Sequence, residues 1–174
     1  MGPLRRIGIA LLALLMLVGM CAPALEAVAA PAQTRPVQQG LAFREVLADA
    51  GPTTDLLPQA DAAEPPLNVS REILLHGIDV TCVGLAGAPD DAPSDGPNVR
   101  LVFAGHQRSR LEAVTTAHVG DRIALVLNGV VLMAPVLQDP ITGGEVVVYG
   151  GPGWDAQTLL GRIHSEGGVD LCQP

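Results

Sequence analysis

Between Asp121 and Leu137 the chain reads DRIALVLNGVVLMAPVL, and this stretch limits the fold more than any other. Asn128-Gly129 between two apolar runs is the signature of a hairpin, because both central residues of a tight turn need positive φ. The strands that it joins are the unusual part. On the second strand Val130, Leu132, Ala134 and Val136 fall on one face, with Val131, Met133, Pro135 and Leu137 on the other. The partner strand, IALVL, is equally apolar on both sides. A sheet in a two-layer domain buries one face and wets the other. Here both faces need cover, and helices supply it for only one. Two alternatives remain for the other. Residues 41–75 lie across it, through Leu56, Leu57, Ile73, Leu74 and Leu75, or it stays an open groove. An open groove would receive a partner polypeptide against Val131, Met133 and Leu137.

The flanking sequence places this hairpin in an α+β domain. LAFREVL, from Leu41, reads as a strand, and PTTDLLPQADAAEPPL, residues 52–67, reads as loop from its four prolines and three acids. Ser70 and Glu72 before ILL suggest a short strand or turn entering HGIDV. DVTCVGLA and VRLVFA are strands that pair across the loop APDDAPSDGPN. Arg108–Val119 has apolar residues at helical spacing, Leu111 and Val114 among them. EVVVYG is a further strand, and Trp154–His164 a second helix with Leu159, Leu160 and Ile163 on its apolar side. The order predicts a mainly antiparallel sheet with two helices on one face.

The first 29 residues read as a signal peptide. Arg5 and Arg6 precede the apolar run Ile7–Met20, which is short for a membrane span of about 20 residues. Ala27-Val28-Ala29 has the small residues of a cleavage site, with Ala22-Pro23-Ala24 as the fallback. Cys21 raises a lipoprotein reading, but Met20 stands where a lipobox carries a small residue. Residues 30–40 form a polar linker, and 41–174 the domain, expected to be soluble and periplasmic. After cleavage two cysteines remain, Cys82 and Cys172. In an exported protein such a pair forms a disulfide, the alternative being two separate thiols. No CxxC points to redox catalysis.

Composition and motif spacing exclude most chemistry. All ten basic residues are Arg, against 18 acids, for a net charge of −8. Without Lys there is no P-loop and no Schiff base, and the acidic balance argues against nucleic acid as a partner. Four aromatics, Phe43, Phe103, Tyr149 and Trp154, are too few for base-stacking platforms. His76, His106, His118 and His164 share no ligand spacing. Asp90, Asp91 and Asp95 precede Gly96, but Pro93 and Val102 occupy positions where a calcium loop needs ligands. Ser109, His106 and Asp121 form a triad only on paper, without a nucleophile elbow. GLAGAP and GGPG are turns rather than dinucleotide loops. Asn68-Val69-Ser70 fits a glycosylation acceptor, which matters only in a eukaryotic secretory route. The expectation is a binding protein with no catalytic residues, no metal and no cofactor.

Residues 110–150 also carry a resemblance. Leu111, Val114-Thr115, His118-Val119-Gly120, IALVLNG, MAPVL and PITGG follow, without a gap, the pattern of the head subdomain of the first periplasmic domain of SecD. SecD is the accessory subunit of the bacterial protein translocase. Upstream, LAFREVL and LNVSREILLHGIDV resemble the family's L-x-F-R-x-V strand and L-L-x-G-x-D segment. The resemblance covers roughly residues 41–165. His118 stands for the family's Asn and Met133 for its Ser, and GGPGW replaces the aromatic after the last glycine. What it implies is the ferredoxin-like head fold and contact with exported or unfolded polypeptide, or with the translocase. A structural envelope protein reusing the fold is the alternative. The family's transmembrane helices, with acids implicated in proton use, have no counterpart in the matched stretch, so proton-driven pulling is not implied.

Overall fold

The structure, a computed structural model, describes residues 40–87, 98–149 and 155–173. The expected signal peptide, the linker up to Gln39, the loop 88–97 and Trp154 lie outside them. In chain order the elements are β1 (Leu41–Glu45), β2 (Thr54–Leu57), β3 (Leu67–Ser70), β4 (Leu75–His76), a single 3-10 turn (Gly77–Asp79), β5 (Cys82–Leu85), β6 (Asn98–Val102), α1 (His106–Ala117), β7 (Ile123–Leu127), β8 (Val130–Met133), β9 (Glu145–Tyr149) and α2 (Ala156–Gly167). The architecture is α+β, with antiparallel pairing between all the named strands.

The ladders divide into three. Four strands run in the order β4-β1-β7-β8, three in the order β5-β6-β9, and β2 and β3 form a separate ribbon. The Asn128-Gly129 turn closes β7 on β8 with both residues at positive φ, 49° and 81°, as the hairpin requires. Both helices contribute to one apolar core, where Leu111 of α1 and Leu159 and Ile163 of α2 meet Leu41, Leu127 and Val148. Phe43 and Phe103 meet edge to face in this core, their ring centroids 6.0 Å apart.

Residues 52–67 are not all loop. Thr54–Leu57 pairs in register with Leu67–Ser70. Pro52, Pro58, Pro65 and Pro66 all stand outside the two strands, so none removes a ladder hydrogen bond. This ribbon supplies the missing cover. Val69, fully buried, packs with Ala124, Val126 and Val131 in a second small cluster, and Leu57 and Leu67 close its margin. Arg44 of β1 pins the ribbon from below. Its Nη2 donates to Asp55 Oδ2 at 2.9 Å and its Nε donates to the Ser70 carbonyl. Arg71 Nε donates to the other Asp55 oxygen at 2.8 Å. Burial pushes the Asp55 carboxyl upward, but these Arg71 and Arg44 hydrogen bonds outweigh it and hold it below the usual carboxylate range.

The helices are shifted from their expected limits. α1 starts two residues earlier, where Gly105 turns the chain at φ 57°, and stops at Ala117 with His118 as its cap. α2 starts later and runs further. Asp155 caps it by accepting the Thr158 N–H, and Gly168 ends it in the left-handed region. Leu159, Ile163 and Gly167 make its buried stripe. A Cβ on Gly77 would lie 2.7 Å from the Gly167 carbonyl oxygen, so only glycine lets the 3-10 turn rest on the end of α2.

Candidate functional site

The expected binding face is split by a bulge. Val126 faces Val131, yet Leu125 faces Met133, so one extra residue, Leu132, enters β8 between them. Side chains then stop alternating as a plain strand count demands. Val131 turns under the ribbon and is 1% exposed. Met133 turns the opposite way, towards the main core. Val131, Met133 and Leu137 therefore do not share one surface. Met133 and Leu137 do: both line an apolar groove between α1 and the hairpin.

Phe43, Leu75 and Leu125 form the floor of this groove, and Leu111 and Val114 of α1 form one wall. Met133, Pro135, Leu137 and Ile141 form the other, around a cavity of about 60 Å³. The groove exists because α1 gives the sheet little to pack with. Only Leu111 and Thr115 of its twelve residues are buried. Irregular main-chain bonds hold the far wall in place. Gly120 N–H donates to the Leu137 carbonyl, Leu137 N–H to the Asp121 carbonyl, and Ile123 N–H to the Pro135 carbonyl. Thr115 ties the two walls together. Its hydroxyl donates to the Leu111 carbonyl and accepts the Ile141 N–H at 3.0 Å. Gly144, at φ 73°, lies so close to the Phe103 carbonyl that a Cβ there would approach to 2.6 Å. At the mouth His118 Nδ1 lies 3.0 Å from Asp121 Oδ2.

The other candidates separate. His106 and Ser109 sit exposed on the first turns of α1, while Asp121 lies past its other end, engaged with His118. His164 Nδ1 bonds to the Val169 carbonyl at 2.7 Å. Among the described residues no three His, Cys, Asp or Glu side chains converge as metal ligands. No helix among them is long and apolar enough to cross a membrane. Cys82 and Cys172 stand with sulfurs at bonding distance, 2.14 Å, and Cα atoms 4.9 Å apart. Asp170–Cys172 runs beside β5, with Val83 N–H donating to Asp170 and Cys172 N–H to Val83. Sequence reasoning missed the α1 wall. Leu111 and Val114 carried a helical signal, and nothing local said how far from the sheet the helix would stand.

These features define a small antiparallel α+β domain built on an NG hairpin, with one face sealed and the other grooved. Residues 54–160 match the family model of the SecDF P1 head subdomain, and the chain belongs to that family. Protein translocase subunit SecD of Acetobacter pasteurianus is 37% identical over 107 residues, 61% of this chain and 20% of that protein. Subunit SecD of Thermobaculum terrenum is 31% identical over 109 residues, 62% of this chain and 21% of that protein. The chain thus spans about a fifth of the length of these relatives. Two solved structures share the fold. SecDF in its super-membrane-facing form gives a TM-score of 0.54 at 23% identity, covering 74% of this chain and 19% of that one. SecDF, described as a membrane component that enhances protein export, gives 0.53 at 22% identity, covering 79% and 69%.

Proposed function

We propose that this chain is a non-catalytic accessory domain of protein export that holds an apolar stretch of exported or unfolded polypeptide in the groove beneath α1. The observation that carries this reading is the groove itself, apolar on its floor and both walls and lined largely by the stretch that matches the family model, with Met133 standing where the family carries Ser. Leu111, Thr115, Met133, Leu137 and Ile141 all line it. Apolar clefts with few polar groups are the usual form of a binding site. Val131 has no part in the contact, since it is sealed under the ribbon.

The domain acts outside the inner membrane, after cleavage between Ala29 and Ala30. A Cys82–Cys172 disulfide fits that oxidising compartment. Intact-mass measurement of the exported protein checks both points: a start at Ala30 and a mass two hydrogens below the reduced value are expected. A lipid adduct on Cys21 would contradict the soluble form. The binding is tested with an unfolded client in a pull-down against Met133→Asp. The wild-type domain retains the client and the variant loses it while keeping its fold. A domain with no affinity for unfolded chains fits instead a structural envelope protein that reuses the fold.

A further inference from the structure

We infer that the Cys82–Cys172 disulfide is a site of thiol exchange, opened by a dithiol, and that its reduction frees Asp170–Gln173 from the edge of β5. This region shares no lining residue with the groove and does not depend on it. β5 is an outer strand of the β5-β6-β9 sheet, and the segment after α2 lies along it through a parallel bridge between Val83 and Leu171. Two main-chain bonds join them: Val83 N–H donates to the Asp170 carbonyl, and Cys172 N–H donates to the Val83 carbonyl. Side chains add little. Asp170, Leu171 and Gln173 are all exposed. Val169, one residue earlier, is the reverse: it is buried in the core, and its carbonyl lies 2.7 Å from His164 Nδ1. The firm anchor is therefore Val169. Beyond it the disulfide and two hydrogen bonds of small net value do the holding. Without the covalent link, the segment past Val169 can leave while the core stays closed.

The bond is placed for exchange. Cys82 lines an open cleft of about 550 Å³ with Thr81, His164, Asp170, Leu171 and Gln173, so an outside thiol has a path to it. Cys172 lies over Gly84 together with Arg100: a Cβ on Gly84 would be 3.6 Å from Cys172 Sγ and 3.9 Å from Arg100 Nε. The ion pair of Arg100 with Glu145 is long, 3.9 Å, and open to solvent. A cation near a departing sulfur favours its thiolate. These positions set the direction of the step. The thiolate of the incoming dithiol attacks Cys82 Sγ and forms a mixed disulfide, while the S–S electron pair leaves on Cys172, which then takes up a proton. The second thiol gives up its proton and attacks its own partner sulfur, releasing Cys82 as a thiol. Two electrons have passed to the protein, and the dithiol ends as a disulfide. The chain is the substrate of this exchange and catalyses none.

The test reduces the oxidised, folded protein with dithiothreitol and traps the thiols of Cys82 and Cys172 with N-ethylmaleimide for mass analysis. The rate is expected to rise in proportion to dithiothreitol, without a plateau, and to be unchanged by urea below the unfolding transition. NMR amide exchange on the reduced protein is expected to show Val83 and Cys172 losing about tenfold or more of their protection. The Thr81 and Ala86 amides, which bond to β6, keep theirs. Arg100→Gln is expected to slow reduction about threefold or more, with Arg100→Lys close to wild type. A rate that levels off at high dithiothreitol, or climbs with urea, overturns the exchange site, since the bond is then reached only through unfolding. Protection kept at Val83 overturns the release, and protection lost across the whole sheet overturns its local character. Equal rates for Arg100→Gln and wild type overturn the part given to Arg100.

Discussion

The two helices have the same length and opposite attachments. α2 is fixed at both ends and along its length. Asp155 caps its start, Gly168 closes its end, and Leu159, Ile163 and Gly167 are buried on one stripe. Glu166 near its C-terminus accepts from Arg162 of the same helix and from Asn128 at the hairpin turn. α1 has no side-chain cap at Gly105 and buries two residues, one of them Thr115. The difference lies in the sequences. AQTLLGRIHSEG repeats a small or apolar residue every fourth position, while HQRSRLEAVTTA offers the sheet Leu111 and Val114 and little else. One helix finishes the core, and the other roofs a space. That space is the groove.

The sharpest way to break this contrast is to place the same charge on the two sides of β8. Val131→Asp puts an unpaired carboxylate under the ribbon, against Val69 and Val126, and should cost about 4 kcal/mol or more. Met133→Asp sits at the groove, where the half-buried side chain reaches solvent, and should cost about 1 kcal/mol. Urea denaturation of both variants checks the difference. Similar losses would mean that the groove is packed as tightly as the sealed side.

Next in size is the seat of α2. Gly77→Ala drives a Cβ toward the Gly167 carbonyl and the Leu41 Cβ, neither of which can swing away. Overpacking of this kind costs about 1–3 kcal/mol. Loss of stability by denaturation, with peptide affinity retained in the folded fraction, is the expected result. Lost affinity in the folded protein would show that α2 and the groove are coupled.

The smallest effect is with acid. Hydrogen bonds from the Thr158 main chain and hydroxyl hold the Asp155 carboxyl below the usual range, and the Arg162 hydrogen bond does the same for Glu166. Groups depressed in the folded state add stability above their unfolded pKa values, here 3.8 and 4.5, and lose it as pH falls through the folded ones. Asp55, between Arg44 and Arg71, behaves the same way. Hydrogen exchange should therefore show the ends of α2 and the β2–β3 ribbon losing protection below about pH 4, ahead of α1. Earlier loss in α1 would contradict these assignments.

Much of this was readable before the structure. The NG turn, the pairing of the 79–86 and 99–104 strands, and the need to cover both hairpin faces follow from local residues. Two features did not. A bulge leaves no mark in an apolar run, since Val131, Leu132 and Met133 suit either face. Counting by twos therefore put Val131 and Met133 together. The ribbon was hidden because four prolines in residues 52–67 read as loop, although each falls beside a strand and none within it. The resemblance to the SecD head covers the stretch that lines the groove, but which side of the hairpin stays open depends on how α1 is seated.

The central claim is that binding happens on the α1 side of the hairpin and nowhere on the ribbon side. Methyl NMR with an unstructured octapeptide of alternating leucine and serine tests it most directly. The account predicts shifts at Met133, Leu137, Val114 and Leu111, with Val69, Val126 and Val131 unchanged. Shifts confined to Val69 and Val131, or none at Met133, would contradict it.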